Sequence, residues 1–407
     1  MESTGGVMAE RTRALVVGGG IGGLAAAAAL HRRGWQVTVL ERAPSLEPVG
    51  AALSLAPNGL RALDVLGLGD EIRDLAAWQG DGGLRAPSGR WLSRSDAEAM
   101  AARFGGPLVL LPRATLVDRL AALLPSGAVR TAAPAHLVDP GSAERTARVA
   151  VGDEEWEAEL VVGADGVNSR VRQALFPDHP GAAYTGFTTW RLLIPLPGAE
   201  FASHETWGRG RLWGTHPLKD GRVYAYAATA APPGQHAPDD ELSELRRQFG
   251  TWHQPVPDIL AAARPEDVLR HDVYHLARPL PAYHLGRTAL LGDAAHAMPP
   301  MLGQGANQAI EDAVVLAHRA ARQAAHHAPD LAAYTAERLP RATGIARRSV
   351  QAARLNLADG RITCALRDNA LALASKAVPT LLLRGFDTVA NWQPPYPSPE
   401  EHTEYRH

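Results

Sequence analysis

Two rhythms of hydrophobic and polar positions run along the 407-residue chain and divide it into two kinds of structure. Near the start, Ala14-Leu15-Val16-Val17 is a short apolar run and predicts a buried strand. Residues 21–33 are rich in alanine and predict a helix, and Gln36-Val37-Thr38-Val39-Leu40 predicts a second strand. Together they make a βαβ unit of ordinary length. Ala56-Pro57-Asn58-Gly59 marks a turn or helix start, with a helix predicted over 60–66. Pro112-Arg113-Ala114-Thr115 opens another helix, running through Leu124, because Pro and Thr favour helix N-termini. Glu159-Leu160-Val161-Val162-Gly163-Ala164 predicts a strand that runs into a glycine turn.

From Tyr184 to about Thr229 the period falls to two. Residues 188–194, 210–215 and 222–227 read as strands separated by Gly, Pro and Asp turns, and predict an antiparallel sheet distinct from the first unit. Further on, 242–252 predict a helix, Thr288-Ala289-Leu290-Leu291 a buried strand and 305–322 a long helix, with helical sequence to about Val389. Residues 1–13 and the Pro-, Glu- and His-rich tail from Asn391 lack periodicity, and the tail is expected to be mobile. No internal repeat is present.

Composition narrows the functional classes. Hydrophobic residues make up 46% and charged residues 21%, and the formal net charge is −2. That balance gives no reason to expect nucleic acid or an anionic membrane as a partner. The apolar stretch 14–30 is too short, and too interrupted by glycine, to read as a transmembrane segment. The lone Cys364 excludes an intrachain disulfide and suits a cytoplasmic protein; the apolar run Ile362-Thr363-Cys364-Ala365-Leu366 around it points to core packing. No metal cluster, paired carboxylates or Ser–His–Asp spacing stands out.

Gly18-Gly19-Gly20-Ile21-Gly22-Gly23 carries the first chemistry. Gly18, Gly20 and Gly23 form G-x-G-x-x-G between a strand and a helix, with Ile21 and Gly22 opening the helix. The spacing suits a tight turn, close approach of a pyrophosphate, and close helix–strand packing. The helix N-terminus offers unpaired N–H groups and a partial positive charge to the phosphates. Glu41 ends the second strand 18 residues past Gly23, where a carboxylate bonds an unphosphorylated ribose. This fits FAD or NAD, and the fingerprint alone does not choose between them.

Two later motifs choose. Val161-Val162-Gly163-Ala164-Asp165-Gly166-Val167-Asn168-Ser169-Arg170-Val171-Arg172 is followed by Gly286-Arg287-Thr288-Ala289-Leu290-Leu291-Gly292-Asp293-Ala294-Ala295-His296, then by Pro299-Pro300-Met301-Leu302-Gly303-Gln304-Gly305-Ala306-Asn307. With the fingerprint, these resemble the group A FAD-dependent monooxygenases, the family of p-hydroxybenzoate hydroxylase, salicylate hydroxylase and zeaxanthin epoxidase. Residues 205–214 and 217–224 are similar to the branch containing zeaxanthin epoxidase and the FAD-dependent urate hydroxylase. The resemblance implies an α/β fold, with a discontinuous FAD-binding Rossmann-like domain (12–75, 105–180, 271–345), an antiparallel β-sheet substrate domain (76–104, 181–270), C-terminal helices (346–390) and a mobile tail (391–407). It implies FAD, NADPH or NADH as co-substrate, O2, and a small-molecule substrate. The implied reaction is hydroxylation of a small aromatic or polyketide-like compound through a flavin C4a-hydroperoxide. Epoxidation, Baeyer–Villiger oxidation, a reductase of the geranylgeranyl-reductase type and a non-catalytic FAD-binding regulator are the alternatives. A monomer or homodimer is expected.

The resemblance also implies roles. Asp293 would hold a ribityl hydroxyl, and Asp165 would belong to a segment serving both FAD and NAD(P)H, with Arg172 beside it. Arg113 and Arg42 would approach the FAD, and residues 49–59 would form the loop under the flavin. Pro300 would lie against the isoalloxazine. Gly303, Gln304 and Gly305 precede a long helix, so their N–H groups suit anionic oxygens, and Asn307 in the first turn suits the flavin edge. His296 reads as orienting the turn rather than as a base. On the predicted sheet, Arg191, Arg211, Trp213, Thr215, Tyr224 and Tyr226 are the pocket candidates, Arg191 and Arg211 as partners of an anion or of developing negative charge. The pattern leaves open which strand face points inward.

Overall fold

The computed structural model describes residues 12–46, 52–75, 77–78, 82–198, 200–321, 328–377 and 387–395. The apolar run near the start becomes the strand Arg13–Val17, in which Ala14, Leu15 and Val16 are fully buried. It lies inside a six-stranded sheet, paired in parallel with Gln36–Leu40 on one side and Leu160–Gly163 on the other. Thr288–Leu290 extends the sheet in parallel beyond Leu160–Gly163, and Val129–Arg130 extends it beyond Gln36–Leu40. The helix Ile21–Arg32 packs on it through alanine, with Ala25, Ala26, Ala27 and Ala28 fully buried. Such small side chains let the helix Gly305–Arg319 approach closely on its other flank.

Register sets where the chemistry goes. Val17 pairs with Gly163, and Gly163 with Leu290. The chain therefore leaves three adjacent parallel strands at the same edge, carrying Gly18, Asp165 and Asp293 into one crevice. Ligands of open α/β sheets bind at that carboxyl edge.

The second unit is a seven-stranded sheet in the order Val268–His275, Ala183–Pro195, Arg222–Ala230, Arg211–Pro217, His204–Trp207, Gly82–Arg85, Trp91–Ser95. It is antiparallel except where His204–Trp207 meets Gly82–Arg85 in parallel. The helices Glu241–Phe249 and Val256–Ala262 cover its outer face, burying Trp190, Leu192, Ile194, Trp213, Val223, Ala225 and Ala227. Its inner face meets the small sheet of Ala52–Leu55, Val109–Pro112 and Ala77–Trp78 through Leu110, Leu193, Leu218, Tyr224 and Tyr226.

Several elements differ from the sequence expectation. The helix starting at Gly305 ends at Arg319, and residue 322 lies outside the described residues. The helix expected over 242–252 is Glu241–Phe249, stopping before Gly250. The strands Gly82–Arg85, Trp91–Ser95 and Val268–His275, and the three-stranded meander Ala135–Asp139, Ala147–Val151, Glu154–Ala158, fall where no strand was expected. Cys364 is buried, its thiol on the Ala358 carbonyl at 3.1 Å, whereas Ile362 in the same run is 76% exposed. The tail beyond residue 395 lies outside the described residues. Among the described residues no helix is long and apolar enough to cross a membrane.

One buried group makes stability depend on pH. His204 lies among Trp91, Phe201 and His253, and burial pushes its pKa down to about 4, against the hydrogen bond to the Ala202 carbonyl. The unfolded chain takes up this proton near pH 6.5 and the folded chain does not, so stability is lost as pH falls below 6.5. Between pH 7.5 and 5.5 the wild type is expected to lose about 1.3 kcal/mol more than a His204→Gln chain. Urea unfolding at both pH values measures it; equal losses would show that the ring protonates inside the fold.

Candidate functional site

The fingerprint turn is built by space as well as by conformation. Gly18 has φ +112°, its N–H donates to the Leu40 carbonyl at 2.9 Å, and a Cβ there would sit 2.4 Å from the Ala164 carbonyl oxygen. At Gly23 a Cβ would fall 2.0 Å from the Gly18 oxygen, so helix and strand touch through these glycines. Gly20 differs: a Cβ there meets nothing within 4 Å. It caps a helix that has no side-chain cap, leaving the first-turn N–H groups facing an open cradle. Glu41 accepts from Gly19 N at 2.6 Å through one oxygen and from Ala43 N at 2.8 Å through the other. A carboxylate has lone pairs left for a ribose diol after those two bonds. Arg42 beside it is exposed.

The second motif serves the fold. Asp165 accepts from the Ser169 hydroxyl, from Arg170 N at 2.7 Å and from Val171 N at 3.1 Å, capping the helix Arg170–Leu175. Arg172 is 1% exposed and donates to the carbonyls of Val167 at 2.7 Å and Ala294 at 3.0 Å. Asp165 is engaged by its own helix, and Arg172 ties the second motif to the third from inside.

Asp293 opens the short helix Asp293–His296 after Gly292 and is exposed at the crevice. Arg113, at the start of the helix Arg113–Ala122, lies within electrostatic reach of Asp293 and Arg191. Burial pulls the Arg113 guanidinium below its usual pKa, with Asp293 opposing. Its Nε is buried with no hydrogen-bond partner in the protein. A buried orphan donor within electrostatic reach of an exposed carboxylate, together with the open cradle at Gly20, fits a dinucleotide that supplies anionic and hydroxyl oxygens. These residues therefore fit FAD.

The third motif rests on a buried polar network. Asn307 Oδ1 accepts from Ala56 N at 2.9 Å, and its amide donates to Ser54 O at 3.1 Å and Gly303 O at 2.7 Å. Both amide hydrogens are thus engaged, and the side chain clamps the 54–56 segment to the start of the helix. Gln304 Oε1 accepts from Asn58 at 3.0 Å and Gln308 at 3.2 Å. Gly303 N donates to Pro300 O at 2.9 Å, so Gly303, in the left-handed region at φ +60°, makes the turn. Unpaired helix N–H groups remain from Gly305 on, where a Cβ would meet nothing within 4 Å. Pro300 is exposed in the turn Pro300–Leu302. His296 bonds Asp312 at 2.5 Å, deep in the core, as a turn-orienting residue. Of the loop 49–59, residues 49–51 lie outside the described residues.

The seven-stranded sheet resolves the facing of the pocket candidates. Trp213 and Thr215 are fully buried and bonded to each other on the outer face, and Arg211 donates to the Gln248 carbonyl at 2.6 Å over Phe249 and Trp252. All three are corrected: they lie on the face turned away from Arg191, Tyr224 and Tyr226, with Trp213 against Phe249 and Arg211 on the Gln248 carbonyl. Residues of the opposite parity face inward. Arg191 pairs in register with Tyr226, and Tyr224 packs against Leu110 of the FAD domain. Arg191 makes no ion pair or hydrogen bond among the described residues, and it lies within electrostatic reach of Arg113, Tyr224 and His271. Burial first, then these arginines with Arg270, hold His271 below its usual pKa. Sequence reasoning missed Glu205, His216 and His271; the period of two would have reached the first two once any inward residue was known.

A family model described as FAD binding domain matches residues 11–349. An aurachin C monooxygenase/isomerase from Stigmatella aurantiaca is 33% identical over 364 residues, covering 89% of this chain and 94% of that protein. A 3-amino-4-hydroxybenzoate 2-monooxygenase from Streptomyces cremeus is 36% identical over 369 residues, covering 86% and 89%. The solved structure of Klebsiella pneumoniae HpxO complexed with FAD and uric acid superposes with a TM-score of 0.83 at 25% identity, covering 93% of this chain and 97% of that one.

Proposed function

The chain belongs to the FAD-dependent aromatic monooxygenases, and from that premise we propose that its substrate is a small flat aromatic acid, bound with its anionic group at Arg191. The observation that carries this is Arg191 itself: an arginine without a counter-ion among the described residues, on the face of the substrate sheet turned towards the FAD domain. A carboxylate or phenolate supplies the missing partner as a charge-assisted pair. Tyr224, Tyr226 and Leu193 on the same face give a flat ring aromatic and apolar surfaces. The Streptomyces relative, named for 3-amino-4-hydroxybenzoate, makes that acid the first compound to try.

FAD, when bound, supplies the electron transfer from NAD(P)H and the activation of O2. The chain does the rest. Gly20 and the helix N-terminus would hold the diphosphate, Arg113 and Asp293 would fix the flavin side, and Pro300 with the helix N-terminus at Gly305 would serve the ring, where a helix N-terminus favours negative charge. Arg191 orients the substrate ring. Hydroxylation of a ring activated by a hydroxyl or amine needs no protein nucleophile. NAD(P)H is read as a visiting co-substrate, since the sequence carries one complete strand–glycine–helix–acid unit. We further take the enzyme as cytoplasmic, as a monomer or homodimer, with 12–75, 105–180 and 271–345 as the FAD-binding domain.

Arg191→Ala tests the proposal. The KM for 3-amino-4-hydroxybenzoate should rise roughly tenfold to a hundredfold, as for loss of a hydrogen-bonded ion pair, with FAD content unchanged. Substrate-stimulated NAD(P)H oxidation with product quantification measures it. An unchanged KM for every accepted aromatic acid would sink the assignment.

A further inference from the structure

One row across the inner face of the substrate sheet has a cation at one end and an acid at the other. Arg191 pairs with Tyr226, Tyr226 with Gly214, and Gly214 with Glu205, on four adjacent strands. The glycine is needed: a Cβ at Gly214 would lie 2.2 Å from Tyr226 Cζ, so the ring crosses that strand and its hydroxyl reaches Glu205. Strands lie about 4.8 Å apart, so the row spans roughly 14 Å, enough for one small aromatic ring with its substituents.

Glu205 has no counter-cation. Its oxygens accept from the Tyr226 hydroxyl and, at 2.8 Å, from Trp207 Nε1, and no Lys or Arg pairs with it among the described residues. The neighbouring ring is His216, stacked on Tyr226 at 5.5 Å and held neutral by burial, which pushes its pKa down to about 3. Burial pushes the Glu205 carboxyl above its usual range, against both hydrogen bonds. An acid kept among rings with two neutral donors is an expensive way to brace a tyrosine. Glu205 and Tyr226 are both half-buried on the inner face of the sheet. Because Tyr226 gives its hydrogen to Glu205, its phenolic oxygen is left as an acceptor.

We propose that the Tyr226–Glu205 pair recognises a hydrogen-bond donor, a ring hydroxyl or amine, on the substrate opposite its acid group. This rests on the reading of Arg191 as the partner of that acid. Tyr226 touches the donor; Glu205 is a positioning residue that orients the Tyr226 hydrogen away from the substrate. The enzyme is thereby selective for aromatic acids already carrying an electron-donating group, the rings most readily attacked by an electrophilic oxygen.

The test uses the FAD-loaded protein and two acids of similar shape, 4-hydroxybenzoate and 4-methylbenzoate, titrated by the change in the visible flavin spectrum. The wild type should prefer the hydroxy acid roughly threefold to tenfold, the range of a hydrogen bond to a neutral acceptor. In Tyr226→Phe, and in Glu205→Leu, which removes the acceptor that holds the Tyr226 hydrogen, that ratio should collapse towards one while 4-methylbenzoate binds as before; general damage to the pocket would weaken both acids alike. A ratio near one in the wild type, or a ratio that survives both substitutions, overturns the inference and leaves the Arg191 reading standing. Failure of both acids to bind the wild type overturns the Arg191 reading, and this one with it.

Discussion

A Gly20→Val chain is expected to fold and to remain colourless. Gly20 has φ −74° and ψ 178°, an extended conformation that any residue adopts, and a Cβ there meets no atom within 4 Å. Substitution should therefore alter stability by no more than about 1 kcal/mol, the scale of a helix-cap change. The same side chain would stand where the diphosphate must approach the backbone, so FAD affinity should fall roughly a hundredfold or more, about 3 kcal/mol. Gly23→Ala makes the control. Its Cβ would lie 2.0 Å from the Gly18 carbonyl oxygen, so it should destabilise the fold by about 1–3 kcal/mol or more through overpacking. Chemical denaturation of the apoproteins and FAD titration separate the two. A yellow Gly20→Val protein with full FAD content would show that the cradle holds something else.

The largest loss of stability should follow Arg338→Ala. This guanidinium is fully buried and donates to Asp312 at 2.6 Å, to Glu311 at 2.5 Å and to the Gln308 side chain at 2.8 Å. Burial alone would raise the Asp312 pKa, yet His296 and Arg338 hold it well below the carboxylate range. Removing Arg338 leaves two buried carboxylates short of charge, with Arg341 as the remaining arginine partner of Glu311 and His296 as the remaining side-chain partner of Asp312 among the described residues. Breaking a buried pair in this way typically costs about 3–5 kcal/mol. Glu311 also bonds Asn58 at 2.7 Å and Gln308 at 2.9 Å, and both of those reach Gln304, so the loosening should spread to the Gly303–Gly305 turn and weaken FAD binding as well. Urea unfolding of the apoprotein and flavin titration of the folded variant measure the two effects. A loss under 1 kcal/mol would mean that water replaces the guanidinium.

What the sequence disclosed follows from which interactions are local. The βαβ unit was legible because its glycines, its alanine helix and Glu41 lie within one short stretch, and the family resemblance carried the three motifs to one crevice. The substrate sheet was legible in period but not in phase. Arg191 and Arg211 look equivalent as sequence, yet the first faces the FAD domain and the second the Gln248 carbonyl. The deciding partners, Phe249 and Trp252, lie on a later helix and the turn after it, and nothing near Arg211 announces them. Asp165 and Asn307 carried motif-derived roles, but their hydrogen bonds go to a helix N-terminus and to the 54–56 segment. Glu205 was invisible for the same reason: its meaning comes from Tyr226, reached across a glycine on the strand between them.

The central claim, that these parts make a monooxygenase, is tested most directly by turnover under isotopically heavy O2. The FAD-loaded protein, given NAD(P)H and an aromatic acid that stimulates its oxidation, should form a product bearing one heavy oxygen atom, in proportion to the NAD(P)H consumed. Product formed equally well under argon, or product whose new oxygen comes only from water, would contradict it.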